Sequence, residues 1–273
     1  MSEKEQEYAK TTFAEVARKY DEVEFFKTSA RHVVELIKKH TRNKPNLAVL
    51  DVACGTGNVV LECASLLDNA VCDAVDISEG MLAKAKENAS SKNLDNIDFH
   101  LQDITKLELT KKYNVITCSY TLFFLPDATK VLARLYAMLK PRGIVVFTSF
   151  TNEAFSPSDQ ILLPLLRKYG SKSAIEHDMD KWENLKQKKD IERLCMMSRV
   201  NDMEMYTEEI RYGMSVDEWW ELLNNTGQKG MLMELSEENY ERVKNEYYEA
   251  MYTHADMDGE VELIADSYFV VVK

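Results

Sequence analysis

Along this 273-residue chain the spacing of apolar residues changes period several times. From about Tyr8 to His40 it is helical. Phe13, Val16, Ala17 and Tyr20 fall at i, i+3, i+4 and i+7, and Ala30, Val33, Val34 and Ile37 resume the pattern after YDEVEFF. Two helices joined by an aromatic elbow are predicted, and Pro45 turns the chain afterwards. Short β-branched runs then alternate with helical stretches. The expected elements are strand Leu47–Val52, helix Val59–Leu67, strand Ala70–Val75, helix Glu79–Ser90, strands Ile97–Leu101 and Tyr113–Ser119, helix Ala128–Leu139 and strand Ile144–Ser149. Lys140 and Pro141-Arg142-Gly143 act as a stop signal between the last two. Strands alternating with helices imply βαβ units, a parallel sheet and right-handed crossovers, so the fold class is α/β, doubly wound, with five strands across residues 47–150.

The remaining residues alternate less cleanly. A helix near Gln187–Arg199, a strand near Glu204–Met214, helices Val216–Asn225 and Glu237–Tyr252 and a last strand Ser267–Val272 fit the periodicities. No repeat, low-complexity tract or linker interrupts the chain, which points to one domain over 1–273. It would comprise an N-terminal helical lid (1–45), a core (46–150) and a cap with C-terminal strands (151–273), including a helical insertion at about 215–255.

Composition narrows the partners. The chain is 45% apolar and 29% charged, with a net charge of −12. An acidic surface argues against a broad phosphate-binding face and hence against nucleic acid. The longest apolar runs, such as Ile144–Phe147, fall far short of a membrane span, and MSEKEQEYAK is too polar for a secretory signal, so a cytoplasmic protein is expected. Five cysteines (Cys54, Cys63, Cys72, Cys118, Cys195) are odd in number and form no C-x-x-C pair; reduced thiols serving as small hydrophobes are expected, with no metal site.

AVLDVACGTGNVV, from Ala48 to Val60, carries the chemistry. Gly55 and Gly57 let the backbone turn sharply after a strand and approach a ligand closely. Asp76 closes the next strand, where a carboxylate can accept from both hydroxyls of a ribose. The dinucleotide fingerprint needs a third glycine, but Val60 stands there, and a P-loop needs a lysine that is missing. Asp51 at the strand end would repel a diphosphate and favour an ammonium group. A ligand with ribose and an amino-acid end but no phosphate fits S-adenosylmethionine.

LDVACGTG, VDIS followed by Met81-Leu82, Gln102-Asp103-Ile104, YNVITCSYTLFFLPD and LKPRGIVVFTSF occur in that order. Together they resemble the successive motifs of class I S-adenosylmethionine-dependent methyltransferases, in particular the UbiE-like small-molecule group. The resemblance implies a Rossmann-like, seven-strand, mostly parallel sheet whose last strand is antiparallel, plus a helical cap. It implies that Gly55 and Gly57 pack under the methionine part of the cofactor, with Asp51 and the Ala53 backbone near its ammonium. Asp76 would hold the ribose, Ile77 and Met81 would cover one adenine face, and Asp103 and Ile104 would meet the adenine edge. Ser119 and Tyr120 would sit by the methyl group, and Tyr20 would close the lid. After Tyr20-Asp21 the chain reads EVEFFKTSARHVVEL instead of the asparagine- and methionine-rich run of quinone methylases.

Methyl transfer from a sulfonium needs alignment and exclusion of water, with a general base only for a protonated nucleophile. His177 and Tyr120 are the candidate catalytic residues; His32, His100 and His254 fit core or surface places better. Trp182, Trp219, Trp220, Phe123, Phe124, Phe155 and Tyr212 supply aromatic surface for a substrate cleft. The expected partner is a small-molecule acceptor, and the protein is expected to be a monomer or homodimer. Rival readings are methylation of RNA or protein, a non-catalytic S-adenosylmethionine-binding protein, and a nicotinamide-dependent oxidoreductase, which Val60 disfavours.

Overall fold

Strands and helices alternate through the first half of the chain, as the apolar spacing requires. The computed structural model describes residues 3–176, 182–200 and 202–273. Helices α1 (Glu3–Val16) and α2 (Glu24–Thr41) flank a short 3-10 turn at Tyr20–Glu22. Then follow β1 (Ala48–Val52), α3 (Asn58–Leu66), β2 (Val71–Asp76), α4 (Glu79–Ser91), β3 (Ile97–Leu101), β4 (Tyr113–Ser119), α5 (Ala128–Ala137) and β5 (Leu139–Phe150). The second half contains α6 (Ser158–Lys168), α7 (Lys172–Glu176), α8 (Lys188–Met197), β6 (Met203–Glu208), β7 (Arg211–Ser215), α9 (Val216–Asn224), α10 (Lys229–Leu232), α11 (Glu237–Tyr252), β8 (Glu260–Ile264) and β9 (Ser267–Val272).

Seven strands form the main sheet in the order β3-β2-β1-β4-β5-β9-β6. β1 to β5 pair in parallel, and β9 runs antiparallel to both β5 and β6. All of β1 is buried, because helices cover both faces of the sheet. The period-2 alternation of the strands divides two cores. Val49, Cys72, Val115 and Val146 face α2 and α3, whereas Leu50, Val75, Ile116 and Phe147 face α5 and α8. Strand order reverses at β1 and β4, and in such a sheet that opens a crevice beyond the carboxyl ends of the strands.

A third apolar cluster builds the cap. Trp219 on α9, Tyr247 and Met251 on α11, Leu166 on α6 and Leu263 on β8 pack together, all buried. Trp219 is fully buried, and its indole N–H donates to the Val261 carbonyl at 3.1 Å. Val16 and Ala17 join Met81 on α4 in a smaller cluster, with Phe13 and Tyr20 against it, which seats α1 on the core.

The structure corrects several sequence-based boundaries. The expected strand Glu204–Met214 is two strands in different sheets: β6 edges the main sheet, while β7 pairs with β8 in a separate two-stranded one. Asp266 forces the separation, since it accepts from the Ile210 N–H at 3.1 Å and from the Arg211 guanidinium. Leu139, expected to end a helix, and residues 140–143, expected to stop it, already belong to β5: Leu139 pairs with Tyr113, and after a register shift Ile144 pairs with Val115. Gly143 fills that irregularity, because a Cβ there would lie 2.9 Å from the Lys140 carbonyl oxygen. α6 and β8 were not anticipated, and α6 contains Pro164.

All five cysteines are buried and free, and burial raises the pKa of each thiol. Among the described residues, no group of three or more His, Cys, Asp or Glu is placed to hold a metal ion, and no helix is long and apolar enough to cross a membrane.

Candidate functional site

The crevice beyond the strand ends is a cavity of about 700 Å³. Its floor is made by residues at or just after the carboxyl ends of β1, β2, β3 and β4: Ala53 and Gly55, Asp76 and Ile77, Asp103 and Ile104, Ser119 and Tyr120. Met81 on α4 and Tyr20 from the lid complete this end. Ten of the twelve residues expected from the sequence to bind cofactor or sit by the methyl group therefore surround one space: only Asp51 and Gly57 do not line it. His177 lies outside the described residues.

The acids at the strand ends are held in defined geometry. Asp76 is 8% exposed; its Oδ2 accepts from the Gly55 N–H and its Oδ1 from the Ser78 N–H, both at 2.8 Å. Burial raises its pKa while those backbone bonds oppose the shift. The Gly57 N–H donates to the Cys54 carbonyl at 2.9 Å. Both glycine amides in the turn are thus bonded to protein oxygens, and the turn presents neither of them to a phosphate. Gly57 has φ +94 and a Cβ there would stand 3.3 Å from Leu61, so the position needs glycine.

Asp51 lies beneath this floor, 2% exposed. Its Oδ1 accepts from the Thr117 hydroxyl at 2.7 Å, and its Oδ2 has no hydrogen-bond partner. Burial pushes its pKa up to about 7. Ser119 Oγ is a second buried polar atom without a partner. Asp103 caps the short 3-10 turn Ile104–Lys106, with Oδ1 accepting from the Thr105 N–H at 2.8 Å and the Thr105 hydroxyl at 2.7 Å.

The lid is fastened to the glycine turn. Asp21, next to Tyr20, accepts from the Thr56 hydroxyl and from the Asn88 amide at 2.7 Å, and Asn88 also donates to the Thr56 carbonyl at 3.1 Å. Sequence periodicity gave no sign of this three-residue latch, because its members come from the lid, the turn and α4.

Aromatic rings build the other end. Tyr20 stacks on Phe26 at 4.6 Å, and Tyr120 stacks on Phe150 at 4.3 Å. Phe26 and Tyr120 meet edge to face at 5.6 Å, so the rings form a continuous wall. Phe123, Phe124 and Phe155 line the cavity as the aromatic reading expected; Trp219, Trp220 and Tyr212 instead belong to the cap cluster. Phe25 and Phe26, read only as an elbow, also face the cavity. Ala53, Tyr120 and Phe155 all have left-handed backbone, with φ of 52, 50 and 64. Each such non-glycine residue costs on the order of 1–2 kcal/mol.

The Tyr120 hydroxyl is held by two serines. It is bonded to Ser29 Oγ at 2.8 Å and Ser267 Oγ at 2.9 Å, and burial pushes its pKa up to about 12. His32 is half-buried with Nδ1 unpartnered and its ring edge-to-face with Phe269. His100 bonds Asp73 at 2.9 Å, and His254 is exposed; none of the three lines the cavity.

Comparison with known proteins agrees with this geometry. A family model described as a methyltransferase domain matches residues 43–228. Malonyl-[acyl-carrier protein] O-methyltransferase of Bacillus cytotoxicus is 29% identical over 175 residues, 64% of this chain and 59% of that protein. Aklanonic acid methyltransferase DauC of a Streptomyces species is 32% identical over 129 residues, 46% of this chain and 57% of that protein. The chain thus spans little more than half the length of these curated relatives. Among solved structures, the YcgJ protein of Bacillus subtilis superposes with a TM-score of 0.58 at 16% identity, over 89% of this chain and 98% of that one. A phosphoethanolamine N-methyltransferase of Haemonchus contortus, solved with S-adenosyl-L-methionine, gives 0.53 at 19% identity, over 89% and 52%. These last two likenesses establish the shared fold. With a family match across residues 43–228 and the seven-strand sheet beneath it, the chain belongs to the methyltransferase-domain family and has the class I Rossmann-like fold.

Proposed function

We propose that this chain transfers a methyl group from S-adenosylmethionine to a small organic molecule, working in the cytoplasm as a monomer or homodimer. The observation that carries the reading is the glycine turn. Its two amides are bonded to Asp76 and Cys54, and two buried carboxylates stand at or under it, so the site suits a cationic, phosphate-free ligand. The unpartnered Asp51 Oδ2 and Ser119 Oγ fit such a ligand, since buried polar atoms seek partners. Named relatives acting on malonyl-[acyl-carrier protein] and aklanonic acid support an organic acceptor.

In this reading Asp76 accepts from the ribose hydroxyls, because each of its oxygens keeps a lone pair beyond its backbone bond. Ile77 and Met81 cover one adenine face, Asp103 and Ile104 meet the adenine edge, and Gly55, Gly57 and Ala53 pack under the amino-acid end. Asp51 balances the ammonium from below. Ser119 faces the methyl group, and Tyr20 closes over it with the latch at Asp21. Bound S-adenosylmethionine supplies a methyl group on a sulfonium whose departure as a thioether is already easy. The residues of this chain therefore align the acceptor and keep water out. Tyr120 is assigned to that wall and not to proton transfer, because both serine bonds occupy its hydroxyl. The lid, core and cap divide at about residues 45 and 150.

The test is incubation with methyl-labelled S-adenosylmethionine and a cell extract separated by dialysis. Label entering only the small-molecule fraction is the expected result. Label in protein or RNA would support a macromolecular acceptor, and no label in either would leave a binding protein.

A further inference from the structure

The cavity lining also carries an ion pair. Asp159 sits in the first turn of α6, and Lys186 follows the short turn Trp182–Asn184; their nearest N···O distance is 3.6 Å. Both side chains are 24% exposed and both line the cavity. Lys186 is the one cation in the lining among the described residues. It is not a loose surface lysine, because its neighbour Leu185 is fully buried and the Leu185 carbonyl accepts from Ser149 Oγ at 3.0 Å. Asp159 is equally placed: its N–H donates to the Phe155 carbonyl at 3.0 Å, and Leu162, Leu163 and Leu166 of the same helix line the adjoining wall.

At 3.6 Å the pair is too long for a good hydrogen bond, so each partner still has capacity for a third group. The ammonium has three donors, and the carboxylate accepts only. A group that donates one hydrogen bond and accepts another matches the two at once. An ammonium on the acceptor would meet Lys186 as a like charge, and a carboxylate would meet Asp159 as one; each leaves one member of the pair unserved. A hydroxyl serves both. The surrounding rings favour a flat aromatic body.

From this we infer that the site takes an aromatic molecule by a phenolic hydroxyl, read by Asp159 and Lys186, a substrate class that rests on the methyl-transfer reading above. The phenolic O–H donates to an Asp159 oxygen while Lys186 donates to the phenolic oxygen. Burial already raises the Asp159 pKa, and Lys186 opposes the shift.

The experiment is calorimetric titration of 1-naphthol, the ammonium form of 1-naphthylmethylamine and 1-naphthoate into the full chain saturated with S-adenosylhomocysteine. The naphthol is expected to bind about tenfold or more tightly than either of the others, since each charge-assisted bond is worth about 1.5–3 kcal/mol. Lys186→Gln and Asp159→Asn are each expected to lower naphthol affinity about tenfold, and Lys186→Arg to restore most of it. S-adenosylhomocysteine affinity should stay within about twofold in all three variants, which certifies folding without using the pair. Equal binding of the three probes, preference for the amine or the acid, or naphthol binding unmoved by Lys186→Gln would overturn the inference. Failure of S-adenosylhomocysteine to bind the native chain would instead overturn the methyl-transfer reading on which it rests.

Discussion

Asp51 gives the most informative perturbation, because its proton should follow the cofactor. It is buried under the glycine turn, with Oδ2 unpartnered and a pKa pushed up by burial to about 7 from an ordinary value of 3.8. A carboxyl whose folded pKa lies above its unfolded one stabilises the fold only while protonated. Its contribution is complete below about pH 4 and is lost as the pH rises through 7, at a cost on the order of 4 kcal/mol. A cationic ligand reverses this, because the ionised form then has a partner. Binding of S-adenosylhomocysteine near pH 6 should therefore release close to one proton. Affinity should weaken as pH falls below 7, reaching about 30-fold, or about 2 kcal/mol, at pH 5.5. The ligand's own amino group stays protonated over that window. Calorimetry in two buffers of different ionisation enthalpy counts the protons. Asp51→Asn should abolish both the release and the pH slope, and should raise the melting temperature of the free protein above pH 8. Proton release unchanged in Asp51→Asn, or absent in the native protein, would refute the reasoning.

Other expectations follow from the same geometry. Asp76→Ala removes the acceptor for two backbone N–H groups as well as the ribose contact, so S-adenosylhomocysteine affinity should fall by at least about 1–3 kcal/mol in calorimetry; unchanged affinity removes Asp76 from the site. Tyr120→Phe deletes the bonds to Ser29 and Ser267 and should cost about 1–2 kcal/mol of stability by denaturant titration while turnover stays within about threefold; a loss of about a thousandfold in kcat would make Tyr120 a base. Trp219→Ala opens the cap core and should cost about 3–5 kcal/mol in thermal unfolding; a cost under about 1 kcal/mol would mean the cap does not depend on that cluster. Asp21→Ala unlocks the lid from Thr56 and Asn88, and stopped-flow release of S-adenosylhomocysteine should quicken about tenfold; an unchanged rate would mean the latch does not hold the ligand in.

The legible parts of this sequence were those in which one physical constraint acts alone. β1, β2 and β4 are largely buried on both faces, so they appear as mainly apolar runs, and the acid that ends β2 stands out against its run. Asp76 was found in this way and Asp103 through the family resemblance, and both line the cavity. Strands β6 and β7 are only half-buried, so MEMYTEEIRYGMS gives no period that marks the change of sheet at Glu209 and Ile210. That change is imposed by Asp266, which lies far along the chain. α6 was hidden by Pro164, tolerated there because the helix packs its Leu162 and Leu166 face into the cap. The Asp159–Lys186 pair left no local signal, since its members lie 27 residues apart and Lys186 stands among other lysines, Lys188 and Lys189. Its meaning appears only when the two residues are brought together in the cavity lining.

Binding of S-adenosylhomocysteine against NAD tests the proposed cofactor most directly. The two ligands share adenine and ribose and differ in the pyrophosphate, against which the glycine turn presents two bonded amides and a buried acid. Calorimetry on the native chain should give micromolar affinity for S-adenosylhomocysteine and no heat with NAD. Binding of NAD without S-adenosylhomocysteine would contradict the cofactor assignment and, with it, methyl transfer.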